Sequence, residues 1–200
     1  VTMVRVLRAL GIRAEILPGK SIKVWGGRSI KSVAPFELVT KMRASFFVAG
    51  AILARTGMAK VPLPGGCSIG SRPVDIHLKG FSALGAEIAI EHGIVAMQAR
   101  QLRGARICLD FPSVGATENI MMAASLATGT TIIENAAREP EIDDLAHFLI
   151  SAGAQIEGAG SSLVTIHGVR ELQGLKYSII ADRIEAGTLV MAAAIRRTAW

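Results

Sequence analysis

The chain is 200 residues long; half of them are hydrophobic, 19% are charged and 21 are glycine. That is ample apolar material for a sizeable core and too little charge for a disordered chain or a coiled coil; frequent glycines with few aromatics suit an α/β protein with many short turns. The formal net charge of +6 comes without runs of like charge or aromatics interleaved with arginines, which argues against a nucleic-acid partner and for small phosphorylated ligands.

In chain order, residues 7–10 read as the end of a helix closed by Gly11, the usual residue just past a helix terminus, and residues 14–16 and 22–24 as a hairpin. Residues 43–55 read as a helix stopped by Gly57, with Phe46, Phe47, Gly50, Ala51 and Ala54 facing inward. A strand over 60–63 leads to a loop over 65–72 and a helix opening at Pro73, which closes at Gly85; strands follow at 86–88 and 94–97. A strand over 106–110 comes next, with Cys108 packed inside it as a small hydrophobe. The next helix, 117–128, has Thr117 as its candidate N-cap, Ile120, Met121, Ala124 and Ala127 on its buried face, and Gly129 as its stop. A strand over 130–135, a loop over 136–139 and a helix opening at Pro140 lead to Gly153 and to strands at 154–156 and 163–167. A lead-in strand at 177–180 and a helix over 188–197 begin a further unit. His77, His92, His147 and His167 show no ligand spacing and read as surface or hairpin residues.

This order is a repeat. Helix, glycine and hairpin recur three times at a spacing of about 70 residues, and the full unit is βαβαββ. The chain starts inside one unit and stops inside another, so it is expected to be a segment of a longer protein. Residues 1–181 form one domain, its first unit truncated, and 182–200 open the next. The longest apolar run, residues 44–54, is shorter than the roughly 18 residues of a membrane span, so no membrane partner is expected. Cys67 and Cys108 form no CxxC pair and no His/Cys cluster, so a zinc site is not expected and a reducing compartment is.

The stretch from Leu63 to Asp75, Leu-Pro-Gly-Gly-Cys-Ser-Ile-Gly-Ser-Arg-Pro-Val-Asp, carries the chemistry. Gly65, Gly66 and Gly70 let backbone amides approach a ligand, and a helix N-terminus behind Pro73 offers free N–H groups and partial positive charge to an anion. That field, with Arg72, favours the Cys67 thiolate. Cys67 therefore reads as a reactive cysteine beside an anion site. Ser113, Val114 and Gly115 form a small-residue turn before a helix, suited to backbone contact with a diphosphate or to plain helix capping.

Residues 42–45, 63–77, 113–117, 129–142 and 182–188 together resemble the UDP-N-acetylglucosamine 1-carboxyvinyltransferase family, over nearly the whole chain and in order; the Pro-Gly-Gly-Cys-x-Ile-Gly-x-Arg-Pro-Val-Asp run is the most specific. The resemblance implies the enolpyruvyl transferase fold, an α/β architecture of repeated βαβαββ units with helices packed inside mixed sheets. It implies transfer of the enolpyruvyl group of phosphoenolpyruvate to the 3′-hydroxyl of UDP-N-acetylglucosamine in the bacterial cytoplasm. The reaction needs no cofactor. On this resemblance Cys67 is the proton donor to C3 of phosphoenolpyruvate, or the thiol that adds to it. Arg72 contacts phosphate, Pro73, Val74, Asp75 and Ile76 embrace the uridine end, and Arg43 touches the nucleotide sugar. Asp75 is equally a first-turn acid complementing the helix dipole. Arg138 and Glu139 organise the cleft or form an exposed ion pair. The family's N-terminal Lys-Asn motif has no counterpart, and Phe111 stands where the family often has lysine. Two rivals stay open: a transferase acting on shikimate 3-phosphate, and a non-catalytic nucleotide-sugar-binding piece.

Overall fold

In a computed structural model the chain is described at residues 2–27, 29–65 and 74–196. Helix α1 (Thr2–Ala9) ends at Gly11, whose φ of +85° is one that only glycine takes up without strain. Strands β1 (Arg13–Leu17) and β2 (Ser21–Trp25) pair antiparallel as the first hairpin. After the short helix α2 (Phe36–Val39), a 3₁₀ turn over Arg43–Phe47 leads into α3 (Val48–Thr56), closed by Gly57 at φ +72°. Strand β3 (Met58–Pro62), helix α4 (Asp75–Ala83) and strands β4 (Glu87–Glu91) and β5 (Ile94–Gln98) complete the second unit. The β4–β5 hairpin turns on His92 and Gly93, both at positive φ, as a two-residue loop requires. The third unit runs β6 (Arg106–Cys108), α5 (Val114–Ala124), β7 (Thr130–Glu134), α6 (Pro140–Ser151), β8 (Gln155–Glu157) and β9 (Leu163–His167); helix α7 (Arg183–Arg196) follows.

The sheets are β1-β2, β3-β5-β4 and β6-β7-β9-β8, antiparallel except for the parallel β6–β7 pair. In the second unit the lead-in is a single parallel bridge, Val33 to Lys60. Both units are therefore βαβαββ with mixed pairing. The central strands turn alternate side chains inward: Val95 and Met97 on β5, Ile133 on β7, Val164 and Ile166 on β9 are all buried. Those faces cover a helical layer in which α5 lies against α3, α4 and α6. Two glycines set the approach. A Cβ on Gly50 would strike the backbone oxygen of Asn119, and one on Gly80 would strike the Ile120 side chain. Helices α3 and α4 thus close on α5 nearer than any side chain would allow.

Five sequence expectations change. Helix α5 begins at Val114, not at 117, because the Ser113 hydroxyl accepts from Ala116 N at 3.3 Å and caps it. Thr117 is buried one turn in, donating to Ser113 O at 2.8 Å and accepting from Ala137 N at 3.1 Å. On α3, Ala51 is exposed and Phe47 and Ala54 only half-buried; Ala49, Gly50, Ile52 and Leu53 face inward. Cys108 is exposed, since Ile107 and Leu109 take the inward positions on either side of it. Residues 177–180 form no strand: Tyr177 is occupied by Asp144, to whose carboxylate its hydroxyl donates at 2.9 Å. Helix α7 starts at Arg183, because the Asp182 carboxylate accepts from Ile184 N and Glu185 N at 2.8 and 3.2 Å. Its Leu189, Val190, Met191 and Ile195 stay exposed. Among the described residues, no helix is long and apolar enough to cross a membrane.

Candidate active site

A cleft of about 380 Å³ opens where the 3₁₀ turn before α3 meets the N-termini of α4 and α5. Six residues named from sequence line it: Arg43 from the turn, Val74 and Ile76 from the start of α4, and Ser113, Val114 and Gly115 from the start of α5. Sequence separations of up to 72 positions collapse because Gly50 and Gly80 let the three helices converge. The first N–H groups of α5 have no acceptor within the helix. Ser113 satisfies that of Ala116, and those of Val114 and Gly115 border the cleft. Two helix N-termini give it a positive field suited to an anion. A Cβ on Gly115 would sit 3.3 Å from the His77 ring and 3.5 Å from Phe47, so glycine is what fits there.

The cleft also holds residues that sequence reasoning missed. His77 is buried, not on the surface as expected, and lines the cleft with Phe46, Phe47, Phe111 and Pro112. Burial pushes its pKa down to about 4; the nearby Arg43 guanidinium lowers it further and Asp75 opposes both. Asn119, fully buried on α5, joins the walls. Its side-chain oxygen accepts from Gly50 N at 2.9 Å, and its amide nitrogen donates to Phe46 O at 3.1 Å and meets His77 Nδ1 at 3.2 Å. The signal was present in the spacing: His77, Gly80, Phe81 and Leu84 form one helical stripe, and Asn119 interrupts an apolar face.

Asp75 does not line the cleft. It is the exposed first-turn acid of α4, one of the two roles expected for it. Cys67, Arg72 and Pro73 lie outside the described residues. Of the loop that carries them, Gly65 packs so tightly on Thr40 that a Cβ would meet the Thr40 carbonyl, and Val74 stands at the cleft wall. Arg138 and Glu139 lie away from the cleft lining; the Glu139 carboxylate accepts from Arg138 N at 2.9 Å.

A second cavity, about 550 Å³, lies across α5 against α6 and residues 179–184. Glu118, Glu141, Asp144 and Asp182 contribute acids to it. Burial, and then the Glu141 charge, raise the Glu118 pKa to about 7. Arg183 grips Glu141 through two hydrogen bonds of 2.9 and 3.0 Å.

Comparison with known proteins places this architecture. The model of the family described as EPSP synthase (3-phosphoshikimate 1-carboxyvinyltransferase) matches residues 1–199. A UDP-N-acetylglucosamine 1-carboxyvinyltransferase of Gloeobacter violaceus is 56% identical over 196 residues, 98% of this chain and 43% of that protein. UDP-N-acetylglucosamine 1-carboxyvinyltransferase 1 of Caldanaerobacter subterraneus is 57% identical over 195 residues, 96% of this chain and 46% of that protein. The chain thus spans less than half the length of these curated relatives. Among solved structures, the enolpyruvyl transferase NikO of Streptomyces tendae superposes with a TM-score of 0.82 at 22% identity, covering 96% of this chain and 46% of that one. EPSP synthase of Acinetobacter baumannii gives 0.72 at 20%, covering 97% and 44%. These two share the fold. By the family match along its whole length, the chain belongs to the EPSP synthase family of carboxyvinyltransferases.

Proposed function

We propose that the full-length protein transfers the enolpyruvyl group of phosphoenolpyruvate to the 3′-hydroxyl of UDP-N-acetylglucosamine and releases phosphate, in the bacterial cytoplasm, as an early step of peptidoglycan precursor synthesis. The observation that carries this is the cleft itself: Arg43, Val74, Ile76, Ser113, Val114 and Gly115 converge on two helix N-termini. Relatives at 56–57% identity bear the corresponding name. Residues 1–181 supply the nucleotide-sugar wall, and the domain opening at 182 supplies the opposing one.

In this reading the sugar hydroxyl gives up its proton to a base and its oxygen attacks C2 of phosphoenolpyruvate while C3 gains a proton. Loss of that C3 proton and of phosphate from the adduct then restores the enol ether. Charge builds on phosphate and carboxylate, so backbone amides and arginines dominate the stabilisation. Cys67 donates the proton to C3 or adds to phosphoenolpyruvate as thiolate. Arg72 holds phosphate, Pro73, Val74, Asp75 and Ile76 the uridine end, and Arg43 the nucleotide sugar. Val114 and Gly115 N–H groups face the diphosphate.

Phosphate release by the full-length protein is the test. It should require both phosphoenolpyruvate and UDP-N-acetylglucosamine, and Cys67→Ala should lower kcat at least about 100-fold. Release with shikimate 3-phosphate in place of the nucleotide sugar would reject this assignment. The isolated 200 residues should bind UDP-N-acetylglucosamine without turning it over, since they hold one wall.

A further inference from the structure

We propose that Asn119 is a positioning residue: it holds His77 as the neutral tautomer protonated on Nε2, so that the ring offers an N–H donor to a phosphoryl oxygen beside the first turn of α5. The ligand half of this statement rests on the function proposed above; the tautomer half does not.

Hydrogen-bond partners fix where the ring proton sits. Gly50 N–H is a donor, so the Asn119 atom facing it at 2.9 Å is the amide oxygen. A flipped amide would set two donors against each other, which fixes its orientation. The other end of the side chain is then NH₂. Its two hydrogens have two acceptors within reach, Phe46 O at 3.1 Å and His77 Nδ1 at 3.2 Å. An imidazole nitrogen that accepts a hydrogen bond carries no proton, so the ring proton is on Nε2. Both the imidazolium and the Nδ1–H tautomer would place a donor against the Asn119 NH₂ and are disfavoured.

Other neighbours agree. Phe46 stands edge-on to the imidazole, 5.3 Å between centroids and 87° between planes, and holds its orientation. Nε2 lies 3.5 Å from where a Cβ of residue 115 would be, on the cleft side. The charged groups that reach the ring are Arg43, from the turn before α3, and Asp75 on α4 itself; burial and Arg43 outweigh Asp75 and keep it uncharged. His77 thus differs from a surface histidine that binds phosphate as a cation. Its donor is present at every pH from about 5 upward.

The test is histidine ¹⁵N spectroscopy on the full-length protein, with UDP as the probe ligand. The wild-type His77 pattern should be that of a neutral Nε2–H ring between pH 5.5 and 8, with and without UDP. An Nδ1–H or imidazolium pattern in that range overturns the assignment, and no variant is needed to see it. Asn119→Asp keeps the acceptor for Gly50 N–H but replaces the NH₂ donor with an acceptor. His77 should then take up a proton near neutrality, and UDP affinity should fall about tenfold between pH 6 and 8; an unchanged spectrum and a flat profile count against the dyad. His77→Phe should weaken UDP about tenfold, as expected for one hydrogen bond to a charged group; unchanged affinity removes the donor role and leaves the tautomer standing. Failure to bind either UDP or UDP-N-acetylglucosamine sinks the functional reading alone.

Discussion

The two cavities flanking α5 are built from adjacent residues and behave oppositely. Asn119 lies buried behind the wall of the first, and its amide is fully committed to Gly50, Phe46 and His77. Glu118 faces the second, where its charged neighbour is a like charge, Glu141. In the first cavity the imidazole is paired through Nδ1 and burial lowers its pKa to about 4, so its charge does not vary near neutrality. In the second, burial without an opposing partner moves a carboxylic acid into the physiological range, so its charge varies with pH. Burial is the first cause of both shifts, and the chemistry of the buried group decides the outcome: it drives an imidazole away from neutral pH and a carboxylic acid towards it.

Gly50→Ala would break this contrast most severely. The added methyl meets the Asn119 backbone, which cannot rotate away, so α3 and α5 must separate and the fold should lose about 3 kcal/mol. Urea unfolding measures this, and a loss under about 1 kcal/mol would mean that the helices shift freely. Next is the pH response of His77. Its folded pKa, about 4, lies below the ordinary 6.5, so the unfolded chain takes up the proton first. Stability is full above pH 6.5 and falls towards pH 4, by on the order of 3 kcal/mol. His77→Phe should flatten that limb of the curve; an identical slope in the variant would assign it to other groups.

Glu118 gives the reverse slope. Its pKa is raised from 4.5 to about 7, so the folded state holds its proton longer and stability declines as pH rises through that window. Glu118→Gln should gain about 1 kcal/mol at pH 8 and nothing at pH 4, a modest figure because the half-buried carboxylate is still screened by solvent. Thermal melts at the two pH values would show equal shifts if the carboxylate were not the cause. The smallest effect belongs to Arg183→Ala. Its pair with Glu141 is exposed, so Tm should not change measurably; a fall of several degrees would show that the pair anchors residues 179–184.

Much of the fold was legible because its punctuation is local. Gly11, Gly57, Gly85, Gly129 and Gly153 all take positive φ where the sequence placed helix and strand boundaries. Leu163–His167 is a strand at the expected bounds. The boundaries that moved did so through side chains reaching forward to the next amides: Ser113 and Asp182 both cap helices earlier than Thr117 or Thr188 would. Six of the residues that line the cleft are named from the resemblance, which follows the chain. His77 and Asn119 are not, because their roles come from contacts 42 residues apart that no local pattern encodes. Cys108 was misplaced because three apolar neighbours in a row look alike in sequence while the pleat sends the middle one out.

That outward thiol governs how Cys67 can be studied. Cys108 is a free, exposed thiol, open to an epoxide or iodoacetamide. Mass gain measured on these 200 residues therefore sums two sulfurs. Replacing Cys108 by serine removes the bystander at a solvent-facing position, and in that background each alkylation event reports on Cys67 alone.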